Sequence, residues 1–138
     1  MISAVLDTNI LASGTISAIT PPGQIIDAWR DGKFLLITSE HILAELEHTL
    51  QKSYFQSHIT ETEVRNFIEL LQYESVVTPL TIKVKNVATH PEDDLTISTA
   101  VSGQANYLVT GDGPLLRKVG PIYQGVNIVT PNDFLKKI

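Results

Sequence analysis

Four acidic residues stand where an α/β fold does chemistry. Asp7 closes a mostly apolar run, Ile2 to Leu6, and Asp112 lies just past another, Tyr107 to Val109. Runs this short and apolar read as strands buried on both faces. In open α/β sheets, ligands bind beyond the carboxyl ends of the strands, where strand order reverses. If the first and fourth strands are neighbours, Asp7 and Asp112 open on one crevice. Glu45 and Asp94 belong to helical stretches. Glu45 lies three residues after Ile42 and four before Thr49, at the border of a buried stripe. Asp94 stands three residues before Ile97 and shares its face. With Asp93 beside it to cap the helix, Asp94 is expected to point inward.

Each acid alone has an ordinary explanation. An Asp after a strand caps the next helix, Asp112-Gly113 is a turn signal, and a first-turn Asp94 favours the helix dipole. Gathered in one crevice, the four would repel one another severely unless cations bound them. Oxygen-only ligation selects hard ions such as Mg²⁺ or Mn²⁺ over zinc. The chemistry that needs such a group is metal-assisted phosphodiester hydrolysis. One or two cations, about 3.5–4 Å apart in two-metal sites, activate a water and stabilise the leaving oxygen. Thr8, Asn9, Ser39 and Thr110 are candidates for orienting the carboxylates or a phosphate, although Ser39 reads better as a helix cap.

Composition narrows the rest. The chain has 138 residues, with 43% hydrophobic and 18% charged, enough for one domain with a buried core over 1–138. It lacks cysteine, which excludes disulfides, zinc–thiolate sites, iron–sulfur clusters and thiol nucleophiles. No apolar run approaches the roughly 20 residues of a membrane helix, and the N-terminus lacks a cationic region before Asp7. A cytoplasmic address is expected. Fifteen acids against 10 bases give a net charge of −5, the wrong sign for coating nucleic acid by bulk charge. Removing the four acids leaves 11 against 10, so the excess is local.

The elements that must position these residues alternate. Ile2 to Leu6, Phe34 to Ile37, Ser75 to Thr78, Tyr107 to Val109 and Val126 to Val129 read as five strands. Between them lie helices over about 23–31, after Ser39, after the Thr60-Glu61-Thr62-Glu63 capping box, after Pro91, around Leu115, and after Thr130-Pro131. Residues 80–90 are ambiguous: Ile82, Val84 and Val87 suit a strand or the start of a helix. Strands alternating with helices give a parallel sheet covered on both faces.

At these residues the sequence resembles a known family. Leu6-Asp7-Thr8-Asn9-Ile10-Leu11, Ser39-Glu40-His41-Ile42-Leu43-Ala44-Glu45-Leu46, Pro91-Glu92-Asp93-Asp94-Leu95 and Tyr107-Leu108-Val109-Thr110-Gly111-Asp112 look like the successive signatures of PIN-domain ribonucleases. The resemblance is greatest to VapC-type toxins of toxin–antitoxin systems. Any one motif is weak, but four in order at family-like spacing are specific. The resemblance implies a three-layer α/β/α fold with a five-stranded parallel sheet of order 3-2-1-4-5. It also implies Mg²⁺- or Mn²⁺-dependent endonucleolytic cleavage of RNA, with a small antitoxin as partner. By motif match, Asp7, Glu45, Asp94 and Asp112 would be the acidic quartet, Asp7 and Asp94 the foremost metal ligands, and Thr8, Asn9 and Thr110 their support. Pro114 departs from the pattern, at a position where relatives often carry another acid.

Other readings fit less well. A haloacid-dehalogenase-like phosphatase needs a second Asp where Asn9 stands, and a receiver domain needs a phospho-accepting Asp with a lysine partner. His41, Glu45 and His48 share a helix, but the two histidines are about 10 Å apart along its axis, too far to share a metal. Glu45-x-x-His48 lacks the second such pair of a di-iron bundle. A PIN-like scaffold that binds RNA or protein without cutting is the remaining alternative. For phosphate contacts the candidates are Arg117-Lys118, just after Asp112, and Lys83 with Lys85, before Asp94. Amphipathic helices between residues 40 and 73 offer a surface for a homodimer or higher homo-oligomer.

Overall fold

The structure, a computed structural model, describes residues Met1–Ile138. Its core is a sheet whose first strand, β1 (Ser3–Leu6), is wholly buried between neighbours on both sides. β2 (Leu35–Thr38) and β4 (Tyr107–Val109) flank it in parallel, with Val5 paired to Ile37 on one side and to Leu108 on the other. β3 (Val76–Val77) extends the β2 side, and β6 (Val126–Val129) pairs in parallel with β4. A two-residue strand, β5 (Ile122–Tyr123), closes the β6 edge in antiparallel fashion, giving the order β3-β2-β1-β4-β6-β5. The five expected strands are present, and strands one and four adjoin. The sixth is too short to leave an alternating pattern in the sequence.

Helices cover both faces. α1 (Thr8–Gly14) and α2 (Pro21–Arg30) follow β1, and α3 (Glu40–Leu50) and α5 (Glu61–Glu74) surround the short α4 (Ser53–Gln56). α6 (Pro91–Ser102), α7 (Gly113–Val119) and α8 (Pro131–Leu135) complete the set. α1 and α4 lie outside the expected helices: they are short, and unlike α7 and α8 neither has a side-chain cap at its start. The caps behave as read. Ser39 Oγ accepts from the Ile42 amide at 3.3 Å, Thr130 caps α8, and Thr60 with Glu63 forms a complete capping box.

Residues 80–90 form neither strand nor helix. They lie along α6, and side chains of α6 spaced four residues apart take their backbone donors. Ser102 Oγ accepts from Ile82, Ser98 Oγ from Val84, and Asp94 from Asn86, Val87 and Ala88. Val84 and Ala88 are buried beneath this ladder. A buried backbone needs its donors satisfied, and here side chains do so where a strand partner would otherwise be required. No helix is long and apolar enough to cross a membrane.

Candidate metal and phosphodiester site

The crevice forms where β1 and β4 end side by side. Asp7 leaves β1 with its amide donating to Val109 O of β4 at 2.9 Å, so the sheet ladder itself fixes the residue. Its carboxylate is buried, and Thr110 Oγ1 donates to Asp7 Oδ2 at 2.8 Å. The same hydroxyl accepts from the Asp112 amide at 3.1 Å. Thr110 is fully buried and therefore locks two acids of different strands into one register. Asp112 also caps α7, with Oδ1 accepting from the Leu115 amide at 3.3 Å. The capping role and the site role belong to one side chain.

Glu45, on α3, lies close enough for its charge to act on both Asp7 and Asp93. The start of α3 is tied to α6 by a 2.9 Å contact between Ser39 Oγ and Thr99 Oγ1, both buried. The acid of α6 that feels the charges of the other three is the half-buried Asp93. Burial pushes its carboxyl up to about 6; Asp7 and then Asp112 add to this, His90 opposes it, and Glu45 adds again. Asp7 is raised as well, first by burial and further by Glu45 and Asp112, against the Thr110 hydroxyl and the Thr8 amide. Each of the two acids thus feels the charge of Glu45 and of Asp112.

Asp94 is a correction to the sequence reading. Its carboxylate does not join the other acids: Oδ2 accepts from the Asn86 amide at 3.0 Å, and Oδ1 from Val87 at 3.1 Å and Ala88 at 2.7 Å. Three charge-assisted bonds in a buried setting consume the group. Asp93 is not the helix cap either; His90 occupies that position. Asp93 stands four residues before Ile97 and Asp94 three, and both spacings meet the rule for sharing a helix face. Only the path of residues 86–88 decides between them.

Thr8, Asn9 and Thr110 sit at the crevice in different ways. Thr8 is buried, and its Oγ1 has no hydrogen-bond partner. Asn9 is exposed and lines a cleft of about 290 Å³ together with Asp7, Ile10, Ser13, Gly111 and Asp112. Ser13, one turn beyond Asn9 on α1, is a wall residue that the motifs did not single out. Its signal was the i, i+4 spacing from Asn9.

The basic candidates separate. A Cβ added at Gly113 would meet Arg117 Nη1 at 3.0 Å, so the guanidinium folds back over the first residue of α7. Lys118 turns elsewhere, its Nζ donating to Ala88 O at 3.2 Å. Lys83 and Lys85 are exposed.

The ion pairs within the chain are His41–Glu45 and Asp133–Lys136. No lysine or arginine neutralises Asp7, Asp93 or Asp112. An all-oxygen group of mutually repelling acids suits a hard divalent cation. No three of these side chains, however, converge on a single point at coordination distance. The donors match the chemistry, and closing them around an ion requires side-chain rotation.

No curated protein matches the sequence significantly. A family model described as PIN domain matches residues 3–113, a span from the first residue of β1 to the first residue of α7 that includes Asp7, Glu45, Asp93 and Asp112. The fold, the crevice and this match agree: the chain belongs to the PIN domain family, a family of nuclease type.

Proposed function

We propose that the chain is a divalent-cation-dependent endoribonuclease, hydrolysing RNA phosphodiester bonds at the crevice between β1 and β4. The observation that supports this most is the pairing of Asp7 and Asp112 in one cleft through the Thr110 hydroxyl, where Glu45 and Asp112 raise both Asp7 and Asp93 and no lysine or arginine forms an ion pair with these acids. Asp7 and Asp93 are the principal candidate ligands for Mg²⁺ or Mn²⁺, with Glu45 and Asp112 completing the set. Such a cation supplies Lewis acidity toward the phosphate and the attacking water. Thr110 holds Asp7 and the Asp112 backbone in register. Asn9 and Ser13 offer hydrogen bonds along the cleft wall, and Arg117, folded over Gly113, is the basic candidate for contact with a phosphate oxygen. Lys118 is better read as a strut to the Ala88 carbonyl than as a phosphate contact.

The motif resemblance extends the proposal to the toxin of a type II toxin–antitoxin pair, acting in the cytoplasm, with a small antitoxin protein as partner. A second reading, a PIN-like scaffold that binds RNA or protein without cutting, is favoured by the open arrangement of the acids. Incubating the protein with structured and single-stranded RNA, with Mn²⁺ and with EDTA, separates the two. Cleavage that EDTA abolishes supports the nuclease; binding without cleavage in either condition supports the scaffold.

A further inference from the structure

We propose that His41 is a positioning residue that sets the orientation of Glu45 for cation binding. The inference rests on reading the crevice as a divalent-cation site. His41 lies in the first turn of α3 and Glu45 one turn later, and Nε2 of His41 is 3.4 Å from Oε2 of Glu45. Both atoms are buried from solvent, and neither has a hydrogen-bond partner elsewhere. Only 28% of the His41 side chain and 30% of the Glu45 side chain are exposed. Two buried polar atoms that face each other are not a solvent-washed surface pair.

The order of the two residues on the helix sharpens the point. An acid C-terminal to its basic partner is the weaker i, i+4 arrangement, so the contact does little for α3 itself. Its consequence falls on Glu45, whose charge is felt at both Asp7 and Asp93. A close neighbour at Oε2 restrains an otherwise flexible side chain. The imidazole needs only its proton on Nε2, so the neutral ring serves. The 3.4 Å contact lacks hydrogen-bond alignment, and contacts of this kind tighten when a site closes on its ligand. Outer partners that fix metal-binding carboxylates act in this way.

The test titrates the 138-residue wild type, H41A and H41Q with Mn²⁺ alone, reading free Mn²⁺ by electron paramagnetic resonance. Urea unfolding of each metal-free chain checks the fold. Glutamine places an amide donor at similar reach. The expected result is an unchanged urea midpoint in H41A, Mn²⁺ affinity weakened about tenfold, and recovery of most of that loss in H41Q. Equal Mn²⁺ affinity in wild type and H41A overturns the positioning role alone. A loss that glutamine does not recover, or one accompanied by a lowered urea midpoint, overturns it in favour of a structural role. Absence of Mn²⁺ binding in the wild type overturns the cation reading on which it rests.

Discussion

Asp93 and Asp94 are adjacent in sequence and opposite in employment. The carboxylate of Asp94 accepts three backbone N–H groups from residues 86–88, whereas that of Asp93 carries the repulsion of Asp7, Asp112 and Glu45. One residue along a helix turns a side chain by about 100°, enough to separate a structural anchor from a site acid. The pair therefore yields two substitutions with opposite signatures.

D94A leaves three backbone donors without their acceptor and is expected to destabilise the protein by about 3 kcal/mol. D93A removes a repelled charge, so the metal-free protein should hold or gain stability while losing Mn²⁺ binding and RNA cleavage. Urea unfolding with parallel cleavage assays checks both. A stable D94A protein with no activity, beside a fully active D93A, would reverse the assignment.

The raised acids give the metal-free protein a pH signature. Asp93 binds its proton up to about pH 6 in the folded chain, against 3.8 for the ordinary side chain. Between those values the folded state holds more protons than the unfolded state, so stability falls as pH rises through the window. Asp7 is shifted in the same direction. Glu63, in the capping box, is lowered from 4.5 and contributes the opposite slope at more acidic pH, so the comparison belongs at pH 5 and above. Thermal melting in EDTA should give a higher midpoint at pH 5 than at pH 7, and Mn²⁺ should stabilise most at the higher pH. D93N should flatten the slope; an unchanged slope in D93N removes Asp93 as its source.

Thr110 makes one hydroxyl serve two acids, donating to Asp7 and accepting from the Asp112 amide. T110V keeps the shape and removes both bonds. Cleavage should fall about 10–100-fold, and stability by about 1–3 kcal/mol. Steady-state cleavage and urea unfolding measure the two; unaltered cleavage would make the hydroxyl purely structural.

T60A is the control at a site remote from the chemistry. It removes the α5 capping box and should cost about 1 kcal/mol without changing cleavage per folded molecule. A selective loss of activity would tie α5 to the site.

Much of this arrangement was legible because the signals were local. Ser39, Thr60 and Thr130 each state a helix start through one side chain and one amide, and the short apolar strands state a covered parallel sheet. The Asp7–Asp112 pairing needed one further rule, that parallel sheets open at their carboxyl edges. What escaped was set by tertiary contact. The path of residues 86–88 chose between two acids that both met the helical spacing. Asp94, Ser98 and Ser102 form a polar stripe that replaces a strand partner, so apolar alternation at Ile82 and Val84 led to no strand. The Arg117-Lys118 pair divided because one residue folds over Gly113 and the other finds the Ala88 carbonyl.

Anomalous diffraction from crystals of the wild-type protein soaked in Mn²⁺ bears most directly on the crevice. The expected result is a peak bounded by the carboxylates of Asp7 and Asp93, with Glu45 or Asp112 rotated toward it and Asp94 still bound to the 86–88 backbone. An empty crevice at saturating Mn²⁺, or an ion held by Asp94, would contradict the account.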